Sequence, residues 1–237
     1  MDKKKDSVQN WYEVIPKEFR KAPKKDPTYP EHLIKPCSMI LTVGPTGVGK
    51  SNSVVEFLKR KNNHFYEIIV FTGSSTDEPL YNFLKSAIQG IEMIDEVGKL
   101  PNIDVYKDSE NKDLEKLIIF DDSVMNDKKE LKQICKWFMC ARKWGFTCMF
   151  LSQDFTSTPI FLRRQINYLQ LFKLQDTNDE RNILKKCATD VTATELHNML
   201  VYATANKLNF LTIALSEIPS MKYRKDFIEV LDPKDFQ

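Results

Sequence analysis

The chain has no long hydrophobic run. Its longest uncharged apolar stretches, such as Ile68–Gly73 and Leu208–Ser216, fall far short of the ~20 residues that a membrane-crossing helix needs. No basic start leads into an apolar stretch and a small-residue cleavage site, so no secretory leader is expected. Cysteines are few and odd in number: Cys37, Cys135, Cys140, Cys148 and Cys187, with no C-x-x-C pair. The three histidines, His32, His64 and His197, add no zinc-ligand spacing. Neither a disulfide framework nor a structural zinc site is expected, and the thiols read as reduced and buried. Charge of one sign is also lacking. With 35 basic and 33 acidic residues the net charge is +2, so a contact with a polyanion has to come from local patches or from assembly of several copies. Glycine is scarce, with seven in 237 residues, and three of the seven lie between positions 44 and 49.

What is present is an ordinary globular composition, 42% hydrophobic and 29% charged, long enough for one large domain with a sizeable core. Residues 1–36 stand apart. They hold five of the eleven prolines, and nine basic against six acidic side chains, with Lys3–Lys5 and Lys21–Lys25 supplying most of the positive charge. Repeated prolines interrupt helix and ladder hydrogen bonds, so this segment reads as an extended arm that packs on a neighbour or touches a polyanion, or as a solvated leader. Residues 37–237 read as the folded domain. Strands are expected at 38–43, 67–72, 116–120, 146–151, 168–174 and 209–215, and helices at 50–61, 77–89, 128–144, 177–187 and 192–204. That alternation predicts an α/β fold, a mostly parallel sheet with helices on both faces.

Between the first strand and the first helix lies Gly44-Pro45-Thr46-Gly47-Val48-Gly49-Lys50-Ser51, which satisfies G-x-x-x-x-G-K-[ST]. The glycines let the backbone curl so that its N–H groups converge on phosphate oxygens, and the helix that follows adds its positive end. Lys50 is expected at the β- and γ-phosphates of ATP and Ser51 at a Mg²⁺ ion, with Asn52 beside them. The strand Leu117-Ile118-Ile119-Phe120 ends in two carboxylates. Asp121 is the expected second Mg²⁺ anchor, and Asp122 the group that activates water, although a glutamate is commoner at that place in hydrolytic motors. The next strand ends in Gln153, at the carboxyl edge where ligands bind in such sheets, and Gln153 is read as a sensor that contacts the γ-phosphate or orients water.

Three arginines are candidates for completing the site of an adjacent subunit: Arg142 at the end of the helix after Asp122, and the adjacent pair Arg163 and Arg164. Lys222, Arg224 and Lys225 read as a surface cluster, and Trp137, Phe138 and Trp144 as packing residues.

Over roughly residues 36–215 the chain resembles the viral genome-packaging ATPases of the FtsK/HerA P-loop superfamily, including poxvirus-type, giant-virus and virophage relatives. The resemblance rests on GPTGVGKS after MILTV, LIIFDD, the helix ending in CARKWGF, the strand TCMFLSQ and the segment PIFLRRQIN. It implies an ASCE/RecA-like sheet in which the Gln153 strand lies between the P-loop strand and the Asp121 strand. It also implies a homo-oligomeric, hexameric ring that encircles double-stranded DNA and drives it with ATP and Mg²⁺ into a preformed capsid, with capsid or portal proteins as partners. The expected location is the host cytoplasm at sites of virus assembly, or the virion, with no membrane contact. Two other readings use the P-loop alone: a kinase acting on a nucleotide or small molecule, and an assembly protein gated by nucleotide binding. Asp122 and Gln153 favour hydrolysis over the kinase, and the intact Lys50 and Asp121 argue against a site that binds nucleotide without turnover.

Overall fold

The structure, a computed structural model, describes residues 9, 14, 16, 25–62, 64–72, 79–121 and 128–237. The apolar runs form strands where the sequence places them: β1 Met39–Val43, β2 Glu67–Thr72, β4 Lys116–Asp121 and β5 Phe146–Ser152. With β3 Ile91–Ile94 and β6 Tyr168–Leu171 they build a parallel sheet in the order β3-β2-β4-β5-β1-β6. Three further strands, β7 Leu211–Ala214, β8 Tyr223–Lys225 and β9 Glu229–Val230, extend it antiparallel beyond β6. The expected order, with the Gln153 strand β5 between β1 and β4, is the one observed.

Side chains alternate across each strand and divide the core in two. Leu41, Val43, Ile118 and Phe120 face Ile134, Trp137 and Phe138 of one helix and Leu196 and Met199 of another. Ile40, Leu117 and Ile119 face Val54, Phe57 and Leu58 on the other side, together with Tyr81 and Leu84. Burial on both faces explains why these strands are mainly apolar runs.

Several boundaries differ from expectation. The expected strand 168–174 ends at Leu171; Phe172 N still donates to Val43 O at 2.9 Å, after which the chain leaves the sheet. The expected strand 209–215 begins at Leu211, because Asn209 and Phe210 are bound instead by Asp226. The expected helix 128–144 is α-helical to Cys140 and then tightens to a 3₁₀ turn ending at Gly145, whose φ of 86° stops it. Lys222 and Arg224 are not a surface cluster. Lys222 donates to Thr189 at 2.7 Å and pairs with Asp190, while Arg224 is 1% exposed, donates to Leu33 O at 2.9 Å and lies over the Tyr168 ring.

From Asp26 onward the proline-rich segment is packed. A short helix, α1 Tyr29–His32, lies against the end of the helix that follows β1, α2 Lys50–Arg60. Lys61, one residue past α2, reaches Asp26 at 2.7 Å and Glu115 at 2.9 Å, and Arg60 donates to Glu31 O at 2.8 Å. His32 is fully buried; its Nδ1 accepts from Ile34 N at 2.9 Å and its Nε2 lies 3.2 Å from Asp26. That pattern requires a neutral ring, since Nδ1 is used as an acceptor. Burial, with the Lys61 ammonium second, lowers the His32 pKa to about 4. The unfolded chain, with an ordinary histidine near 6.5, therefore binds the proton more readily than the native state. Stability from this site is complete above pH ~6.5 and is lost as pH falls towards 4. The thermal midpoint is expected to drop on the order of 5 °C more by pH 5 in the native chain than in His32→Asn. Equal acid sensitivity of the two in melting curves would contradict this assignment.

Candidate active site

β1 carries the chain to Gly44 at the carboxyl edge of the sheet, where Gly44 N donates to Ser152 O at 3.1 Å. No side chain fits there: a Cβ on Gly44 would sit 2.7 Å from Phe172 Cβ and 2.9 Å from Val48 Cγ2. Gly47 and Gly49 take φ of 78° and 110°, the left-handed region open to glycine, and Gly49 caps α2. The ammonium of Lys50 turns back into this curl, donating to Gly44 O at 2.6 Å and Pro45 O at 3.0 Å. Residues 44–50 thus form a tight loop with a cation inside it at a helix start.

β4 brings Asp121 to the same edge. Ser51 Oγ donates to Asp121 Oδ2 at 3.2 Å, so the hydroxyl and carboxylate expected to share a metal ion are already neighbours. Both are hard oxygen donors, the chemistry that suits Mg²⁺. The helix α3 Pro79–Ala87 adds Tyr81, 1% exposed, whose hydroxyl donates to the same Asp121 oxygen. Sequence reading missed this partner, because Tyr81 stands in an amphipathic helix where an aromatic reads as core. Asp122 lies outside the described residues.

Gln153 follows β5 and is exposed at the rim, next to the loop. With Pro45, Thr46, Asp154, Asp176 and Asp179 it lines a cleft of about 460 Å³. The three carboxylates give that cleft a negative lining. Asp179, 2% exposed, accepts from Phe155 N at 2.6 Å and Thr156 N at 2.9 Å and so fixes the loop after β5. Asp154 accepts from Ser157 N at 2.5 Å, and Asp176 caps the helix Thr177–Cys187.

The three arginines are not brought together. Arg163 and Arg164 lie on a short helix, Ile160–Gln165, that sequence reading took as a lead-in to the next strand. Arg163 covers the Phe155 ring at 4.9 Å, and Arg164 is exposed. Arg142 is exposed in the 3₁₀ turn before β5, at the opposite edge of the sheet from Gly44. None of the three is among the residues lining the cleft of its own chain. Trp137 and Phe138 are buried in the core, as expected of packing residues.

A mostly parallel sheet with a glycine-rich loop ahead of a helix, and one strand between the loop strand and the acidic strand, is the P-loop NTPase fold in its ASCE form. No protein-family model and no curated protein matches the chain. Solved structures of the genome packaging NTPase B204 from Sulfolobus turreted icosahedral virus 2 share the fold. The AMPPCP complex has a TM-score of 0.55 at 14% identity over 82% of this chain and 98% of that one. The ATP-gammaS complex has a TM-score of 0.53 at 14% identity, over 79% and 96%. The pCW3 conjugation coupling protein TcpA, in its monomer form with ATPgS, is similar at a TM-score of 0.50 and 13% identity, over 84% of this chain and 62% of that one. At 13–14% identity these likenesses show a shared fold.

Proposed function

We propose that the chain is an ATP-hydrolysing double-stranded DNA translocase that packages a viral genome into a preformed capsid. The observation that carries the catalytic part is the Ser51–Asp121 contact beside the Lys50 loop. It assembles a metal-anchoring pair and a phosphate cradle from elements about 70 residues apart. Ser51 and Asp121 would hold a Mg²⁺ ion, which would supply charge neutralisation for the phosphates.

The chain's own residues do the rest. Residues 44–49 offer backbone N–H groups to the phosphates, and Lys50 swings from the loop carbonyls onto the β- and γ-oxygens. Ser51 and Asp121 hold the metal, and Tyr81 fixes the carboxylate's orientation. Asp122 takes the proton of the attacking water, and Gln153 hydrogen-bonds the γ-phosphate. The carboxylates in the cleft beside Gln153 suit a cation inserted next to the γ-phosphate, which supports an arginine, from the Arg142, Arg163 and Arg164 set, supplied by a second copy. Repeating one chain around a ring multiplies each small basic patch around a DNA-sized pore, so a net charge of +2 is compatible with DNA as the track. In this reading the ring is hexameric, the part of the 1–36 segment that precedes Asp26 meets a neighbour or DNA, and capsid or portal proteins dock the ring. The protein acts in the host cytoplasm at assembly sites or with the virion. Among the described residues no helix is long and apolar enough to cross a membrane. Stimulation of ATP hydrolysis by double-stranded DNA tests the reading.

A further inference from the structure

One apolar side chain is held in solvent beside the phosphate loop. The chain leaves the helix Ala193–Ala203 and enters β7 through a turn closed by Asn209 N donating to Asn206 O at 3.1 Å. β7 runs antiparallel to β6 with Leu211 opposite Leu171, so this turn stands at the carboxyl edge of the parallel strands, the edge of Gly44 and Lys50. Leu208, in the turn, is 52% exposed, and yet it touches the loop: a Cβ on Gly49 would sit 2.7 Å from Leu208 Cδ2.

The turn is fixed from behind by Asp226, itself at a φ of 53°. Asp226 accepts from Asn209 Nδ2 at 2.6 Å and from Phe210 N at 3.0 Å, its N–H donates to Phe210 O at 2.7 Å, and its own carbonyl accepts from Thr212 Oγ1 at 2.5 Å. Phe210 packs between the rings of Phe172 and Phe227, each 5.2 Å away between centroids. Leu208 is thus a preorganised apolar face, and a rigid exposed leucine gains by being covered.

The sheet order says what covers it. The γ-phosphate end of the site is marked by Asp121 on β4 and Gln153 after β5, both on one flank of β1. A nucleotide whose terminal phosphate lies on that flank sends its nucleoside to the other, where β6, β7 and the turn stand. We infer that the turn 206–209 is the nucleoside subsite and that Leu208 is the platform on which the base rests. The contact is apolar and carries no hydrogen-bonding group, so it holds a base ring without reading its edge. The inference rests on the nucleotide-site reading above.

The test is a titration of the full chain, with Mg²⁺ present, by the non-hydrolysable analogue AMPPCP and by inorganic tripolyphosphate, which has no nucleoside. Leu208→Ser is expected to weaken AMPPCP about tenfold, to leave tripolyphosphate unchanged, and to be rescued by Leu208→Met. Equal weakening of both ligands would assign Leu208 to the shape of the loop and overturn the subsite, as would no change in either. Wild-type chain that binds neither ligand in a Lys50-dependent way would overturn the nucleotide site itself, and the subsite with it.

Discussion

Lys50→Ala is expected to lower steady-state ATP turnover about 10³-fold or more, to background. The Lys50 ammonium is the cation inside the loop, lodged against the carbonyls of Gly44 and Pro45 at 2.6 and 3.0 Å. Removing one preorganised charge donor from a phosphoryl- or acyl-transfer site costs 10²–10³ in rate, and here the donor also contributes to binding the charged ground state. The side chain is only half-buried and lies at a helix start, so the fold is expected to survive its truncation. Turnover measured beside a thermal melt separates the two effects. A variant that melts like wild type and keeps a tenth of the wild-type rate would remove Lys50 from the mechanism.

The second large effect belongs to the arginines. A finger supplied by another subunit is worth 10³–10⁵ in rate, and none of the three candidates lines the cleft of its own chain. We expect one of Arg142→Ala, Arg163→Ala and Arg164→Ala to lower turnover by at least about 10³ while leaving nucleotide affinity in the isolated subunit unchanged. Mixing that variant with Lys50→Ala subunits then restores part of the activity, because an intact arginine from one chain meets an intact loop from the other. Arg163 also covers Phe155, so its truncation disturbs the loop after β5. Arg164 and Arg142 are exposed and give cleaner readouts. Absence of rescue in every mixture would contradict action across an interface.

Much of this architecture is legible from local pattern. β1, β2, β4 and β5 are short, mainly apolar runs, β1 and β5 each with one interior threonine, because parallel central strands are buried on both faces. The loop declares itself because three of seven glycines and the Lys50-Ser51 pair fall between a strand and a helix. What stays hidden depends on contacts far apart in sequence. Tyr81 meets Asp121 across 40 residues, and Lys61 meets Asp26 and Glu115 across 35 and 54.

Charge is the weakest guide to exposure. Arg224 reads as a surface residue until the fold closes Leu33 and Tyr168 over it. β3 escapes notice because Ile91-Glu92-Met93-Ile94 is an edge strand with one buried residue, and β8 and β9 are too short to carry a period. Leu208 looks like part of the last apolar run, and only the hydrogen bonds to Asp226 separate it from the strand.

The most direct test of the account is steady-state ATP hydrolysis, measured with and without double-stranded DNA across a range of protein concentration. A DNA motor completed in trans predicts a rate per subunit that rises with both. A rate per subunit indifferent to DNA and to concentration would contradict it and leave a self-contained phosphotransferase as the better reading.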